Sequence, residues 1–126
     1  MAKYVDGYLL TVPKKNLAAY KKMAKEGAKM WIKQGALDYK ECVADDMKPK
    51  GMKTFFPKVI GAKSNEVVIF SYITYKSRAH RDRVNAKVMS MMDEKAMEEC
   101  KDPNKMPFDW TRMAYGGFQV LVDGLK

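Results

Sequence analysis

The densest array of chemically capable side chains lies between Lys76 and Lys87, where Lys76, Arg78, Arg81, Arg83 and Lys87 stand against Asp82 alone. Four excess positive charges around the start of a helix can attract an anion. On helical spacing, however, His80, Arg83, Val84 and Lys87 share one side while Arg78, Arg81, Asp82 and Asn85 share another, so the cations are not gathered on one face. A solvated helix carrying local ion pairs explains the same residues, and that reading is favoured. His80 is the sole histidine, the one side chain whose ordinary pKa lies near neutrality, and hence the natural general acid or base. Asp6 and Tyr8, reached across a sheet, are its candidate partners, and these three are the candidate catalytic residues. A histidine that caps or packs is the favoured alternative.

Trp31 and Tyr20, with Met89, Met91 and Met92, have the types and spacing to line an apolar cavity between helices and sheet. Trp31, Arg81 and Arg83 are therefore the candidate ligand-binding residues. An ordinary core shows the same stripe, and the residues alone favour it. There is no phosphate-cradling glycine loop, no HExxH or other metal-ligand spacing and no Ser-His-Asp pattern, so neither a metal nor a cofactor is expected. Cys42 and Cys100 are widely separated, which favours two reduced, packed thiols.

These side chains need elements to hold them. Lys3 to Val12 alternates apolar and polar residues up to Pro13 and reads as a strand. Leu17, Tyr20, Ala24, Gly27 or Ala28, and Trp31 then form one stripe of a helix that starts at Asn16 and stops at Gly35, with Lys21, Lys22, Lys25, Lys29 and Lys33 facing elsewhere. Leu37 to Ala44 is a second strand. Residues 45–65 form a long connection, a loop or extra hairpin, whose Phe55, Phe56 and Ile60 pack on the body. Glu66 to Tyr75 is a third strand, apolar on both faces through Val67, Ile69 and Ile73 and through Val68, Phe70 and Tyr72. Ser77 caps a second helix with Val84, Val88 and Met91 on its stripe. Residues 93–111 are irregular, with a break near Asp93 and an acidic turn around Glu98 and Glu99. Arg112 to Val122 is a last strand, where Gly116 and Gly117 mark a bulge or a close backbone approach.

Strand, helix, strand, strand, helix, strand folds by right-handed crossovers into an α+β, ferredoxin-like βαββαβ sandwich, a four-stranded antiparallel sheet with two helices on one face. The 126 residues form a single such domain. Two helices cover one face only, and the third and fourth strands are apolar on both. The open face therefore calls for a partner, and a second copy of the chain is the simplest one. No apolar run suits a signal peptide or a membrane span, so a cytoplasmic protein is expected. The net charge of +9 is concentrated in residues 1–63, which hold 14 Lys and Arg against 6 acids. Nucleic-acid binding would rest on that charge alone and is disfavoured, because the third strand lacks base-stacking aromatics and glycines in the required pattern.

The segments YVDGYLLTVPKKNLAAY, GALDYKECVADD, YKSRAHRDRVNAKVM, PFD and RMAYGGF closely resemble the YbaA-like proteins, a bacterial family of unknown function within the dimeric α/β barrel superfamily. The resemblance covers nearly the whole chain and implies pairing as a dimeric α/β barrel; it supplies no reaction. Residues 89–106 look longer than the family pattern and suggest a lengthened second helix. Three functions follow as expectations. The first is a homodimeric module that binds a small, partly apolar and anionic molecule between helices and sheet. The second, by superfamily analogy, is a cofactor-independent oxygenase or isomerase that needs His80 or Asp6 in the pocket. The third is a weak electrostatic binder of nucleic acid.

Overall fold

The computed structural model describes residues 2–125. Its elements run β1 (Tyr4–Pro13), α1 (Leu17–Lys33), β2 (Asp38–Val43), α2 (Phe56–Ile60), β3 (Glu66–Tyr75), α3 (Arg78–Met91), α4 (Glu94–Lys101) and β4 (Ala114–Gln119). The strands form one sheet in the order β2-β3-β1-β4, every neighbouring pair antiparallel. β1 lies inside the sheet, paired with β3 along its whole length and with β4 along its first half. It is the element from which the chemistry of one face can be read in register.

Side chains alternate across a strand, so Tyr4, Asp6, Tyr8, Leu10 and Val12 of β1 share a face with Ile69, Ser71, Ile73 and Tyr75 of β3. α1 and α3 cover that face. Tyr20 and Ala24 of α1 pack with Leu10, Val12, Ile69 and Phe108, while Val84 and Val88 of α3 pack with Tyr4, Ile73 and Tyr75. The α1 lysines named above are exposed, as the helical stripe requires. Ser77 caps α3 by accepting the His80 amide N–H at 3.1 Å. Gly35 ends the turn after α1 at φ 114, a conformation few other residues adopt, and a Cβ there would lie 3.4 Å from His80 Nε2.

The connections differ from the sequence expectations. Residues 45–65 contain no hairpin; they run irregularly into α2, which has Pro57 in its first turn and is closed by left-handed Gly61. Phe56 of α2 lies against Phe70 on the sheet's open face, ring centroids 6.4 Å apart. Nor is the second helix lengthened. The chain turns extended at Met92, and Asp93 starts a separate helix, α4, by accepting the Ala96 amide at 2.7 Å, where an acidic turn was expected. β4 stops at Gln119, and Leu121 and Val122 beyond it are exposed. Its two glycines are not a bulge, because the β1 register runs through them unbroken. Only Gly117 is a close approach: a Cβ there would overlap the Tyr4 hydroxyl, whereas one on Gly116 would make ordinary contact with the Phe118 ring at 3.6 Å. Both cysteines are free, but Cys42 is exposed on the open face and not packed. Among the described residues no helix is long and apolar enough to cross a membrane.

The start of β3 is fastened to the far connections by one carboxylate. Glu66 takes a two-pronged contact from Arg112, at 2.7 and 2.9 Å, and accepts from the Lys63 amide at 2.8 Å, while Arg112 also reaches the Gly61 carbonyl at 3.0 Å. The Arg112 hydrogen bonds hold the Glu66 carboxyl at about 2, below an ordinary 4.5. A folded-state pKa lower than the unfolded one adds stability above about 4.5 that is lost as the pH falls toward about 2. Thermal unfolding followed from pH 6 to pH 2 should show that loss, of order 2 kcal/mol. Arg112→Met should flatten this part of the profile; an unchanged profile would show that the contact does not hold the connections.

Candidate functional site

Between α1, α4 and the sheet lies an open cleft of about 570 Å³. Its floor is a row that crosses the strands at one level. Glu41 of β2 pairs with Ser71 of β3, which pairs with Tyr8 of β1, and all three line the cleft. The row continues to Tyr115 of β4, whose ring lies 5.0 Å from that of Tyr8. The walls are apolar or aromatic: Met23 and Trp31 from α1, Met92 after α3, Met106 and Phe108 from the last connection.

Glu41 is the chemical centre of the floor. Its Oε1 accepts from the Tyr20 hydroxyl at 2.7 Å and its Oε2 from the Tyr39 hydroxyl at 2.8 Å. Two residues apart on β2, Tyr39 and Glu41 face the same way; Tyr20 descends from α1. No lysine or arginine pairs with Glu41 among the described residues. Each carboxylate oxygen has lone-pair capacity beyond the one tyrosine it accepts. Burial, and then Glu41, push both tyrosine hydroxyls far above their ordinary pKa, so they remain donors. Gly27 leaves room for this arrangement, since a Cβ there would lie 3.4 Å from the Tyr39 hydroxyl.

Trp31, a candidate ligand residue, does line the cleft. Its indole N–H donates to Asn85 Oδ1 at 3.0 Å, which also accepts from Tyr75 at 3.3 Å, and this ties α1 to α3. Tyr20 and Met92 line the cleft as expected, whereas Met89 and Met91 are exposed and line none of it.

Asp6 and Arg81 form a separate centre beside the cleft. The carboxylate is fully buried and accepts from Arg81 Nη1 at 2.8 Å, while its Oδ2 has no hydrogen-bond partner among the described residues. Arg81 Nη1 also donates to the Tyr115 hydroxyl at 2.6 Å, Nε pairs with Asp82 at 2.8 Å, and the guanidinium lies over the Tyr4 ring at 5.1 Å. Burial raises the Asp6 carboxyl above its ordinary pKa, and the Arg81 charge opposes the rise. His80 joins neither Asp6 nor the cleft. Its Nδ1 accepts from the Lys76 amide at 3.0 Å, the proton of the neutral ring lies on Nε2, and burial with the charges of Arg83 and Lys76 lowers its pKa. Arg83 is exposed on α3.

Of the residues singled out from sequence, the fold thus joins Asp6 to Arg81 and brings Tyr8 and Trp31 to the cleft. It sets His80 and Arg83 apart. Glu41, Tyr39 and Ser71 were missed. The legible signal was Tyr39 and Glu41 at two-residue spacing inside a strand, which puts a carboxylate and a hydroxyl on one face.

A sheet ordered β2-β3-β1-β4 beneath two long helices defines a ferredoxin-like α+β protein. The same fold occurs in a crystal structure described as a dimeric ferredoxin-like protein from an uncultured marine organism, with a TM-score of 0.61 at 12% identity over 98% of this chain and 99% of that one. Residues 3–110 match the family described as Protein of unknown function (DUF1428), and the chain belongs to that family. It is 42% identical over 121 residues to "Uncharacterized protein YbaA" of Escherichia coli strain K12, across 96% of this chain and 98% of that protein. The YbaA of Shigella flexneri matches to the same extent.

Removing Asp6 leaves the Arg81 guanidinium, largely shielded from water, without its main counterion. Asp6→Ala should lose about 3 kcal/mol in urea unfolding. Adding Arg81→Met to it should recover part of that loss. Additive losses in the double variant would show that the two side chains are not coupled.

Proposed function

We propose that the protein is a cytoplasmic homodimer that binds a small, predominantly apolar molecule in the cleft between helices and sheet. The observation that carries the binding reading is the cleft itself: apolar walls of Met23, Trp31, Met92, Met106 and Phe108 over a floor with Glu41, Ser71 and Tyr8 converging from three strands. Apolar enclosure with a few convergent polar groups is the usual form of a small-molecule site.

Dimerisation is supported by the opposite face. There Phe70 is 47% and Phe118 62% exposed, with Val5, Leu9 and Tyr72 beside them. Gly7 and Gly116 pair beneath the Phe118 ring, and the surface is concave, about 590 Å³, so a partner can interdigitate with it. The structural neighbour described as dimeric adds to this reading. Two free cysteines suit a reducing compartment. The oxygenase or isomerase reading is weakened, because neither His80 nor Asp6 lines the cleft.

Native and denaturing mass spectra of freshly purified protein test both halves of the proposal. The expected result is a dimer that carries extra mass lost on denaturation. Phe118→Glu should convert the dimer to monomer at micromolar concentration while the cleft and the far-ultraviolet circular dichroism persist. A monomeric parent protein would overturn the pairing. For the cleft, Trp31→Ala should strip the extra mass; retention of the same mass would place the ligand elsewhere.

A further inference from the structure

We infer that the cleft selects an organic cation: a molecule with an ammonium group at one end, seated against Glu41, and an apolar body along the methionine wall. The inference rests on the cleft being a binding site and goes on to name the chemistry that it recognises.

Three features of the lining agree. The first is charge. The protein carries a net +9, yet the acidic and basic side chains around this cleft are Glu26, Glu41 and Glu99 against Lys105. Lys105 and Glu26 are exposed at the rim, so the charge on the floor is that of Glu41. The cations that could have drawn an anion are elsewhere: Arg81 is engaged by Asp6 and Asp82, and Arg83 is exposed on α3. The anionic ligand expected from the sequence thus meets only Lys105, exposed at the rim, among the cations of the lining.

The second feature is the state of Glu41. Both its contacts are hydroxyl donors, which orient the carboxylate and leave its charge uncompensated. A neutral ligand would leave that charge without a counterion in a partly dehydrated site, whereas an ammonium supplies one with hydrogen bonds attached. The third is the aromatic complement. Tyr8, Tyr20, Trp31, Tyr39 and Phe108 all line this one cleft. Trp31 and Tyr39 lie 6.3 Å apart by ring centroid, and Tyr20 meets Phe108 edge to face at 5.4 Å. The polar ends of three are occupied, the indole N–H by Asn85 and the Tyr20 and Tyr39 hydroxyls by Glu41, so what these rings have left to offer a ligand is their π surface. Aromatic faces around a carboxylate are the arrangement that recognises ammonium groups.

Three probes of nearly one shape separate this inference from the reading beneath it: 2-phenylethylammonium, 2-phenylethanol and phenylacetate, titrated into the dimer by calorimetry at pH 7 after denaturation and refolding to remove any bound molecule. The ammonium should bind about tenfold more tightly than the alcohol, and the acetate most weakly. Glu41→Gln, which keeps an acceptor for one of the two tyrosines, should erase the preference for the ammonium and leave alcohol binding in place. Equal or tighter binding of phenylacetate, or a preference that survives Glu41→Gln, overturns the cation inference while the cleft stands. If none of the three binds, the cleft reading falls and takes this one with it. Should Glu41→Gln not fold, the ranking of the three probes by the parent protein decides the matter.

Discussion

Asp6 is a carboxylate with no access to solvent on a strand that pairs on both sides. Burying a charge in that position costs several kcal/mol unless an opposite charge is brought to it. Arg81 is that charge, and the requirement constrains most of the surrounding structure. It fixes the rotation of α3, because the guanidinium must reach under the helix to the sheet. It fixes β4, because Tyr115 must present its hydroxyl to the same nitrogen. It also dictates Gly117: directly opposite Asp6 in the register, any side chain would occupy the space of the Tyr4 hydroxyl, and Tyr4 lies beneath the guanidinium. Through Val84 and Val88 on the same helix the constraint extends into the core, and through Asn85 it reaches Trp31 and the wall of the cleft.

The order of the main elements was legible in the sequence because periodicity reports local burial. The two-residue alternation of β1 and the three- and four-residue spacing of α1 each follow from one covered face. The apolar third strand implied a sheet apolar on both sides, and Phe70 does lie on the open face, 47% exposed. What failed were the connections, and for one reason: their conformation depends on contacts distant in sequence. Residues 45–65 carry weak periodicity, and α2 is positioned by Phe56 against Phe70 and by Arg112 holding Gly61. α4 was masked because its acids read as a solvated turn. Its start depends on the single Asp93 cap, and its inner side is paired with a cleft that sequence cannot display.

Of the site, individual residues were legible but not their pairing. Asp6, Tyr8, Trp31 and Arg81 were all singled out, yet His80 was set opposite Asp6, whereas the next residue takes that place. A rotation of about 100° per residue separates the two, and the Asp6–Arg81 pair, together with the Ser77 cap on the first turn of α3, sets which of them faces the sheet. Glu41 was passed over because a lone carboxylate in a short edge strand reads as solvent-facing. Tyr20, 21 positions earlier, is what turns it into a held, inward group, and such a contact leaves no local signature.

The two faces of the sheet differ in chemistry. On the open face the paired glycines Gly7 and Gly116 form a shallow floor with aromatic edges, a shape suited to another packed surface. On the helix face the strands carry hydroxyls and the carboxylates Asp6 and Glu41, each of which needs a hydrogen-bond partner when buried. β1 links the two directly: Gly7 lies between Asp6 and Tyr8 in sequence and points the other way. A change of twist in β1 would therefore move Tyr8 relative to Ser71 of β3 and Glu41 of β2, since β1 contributes to both surfaces. Tyr8 itself lines both the cleft and the concavity of the open face, so the two surfaces share this strand directly.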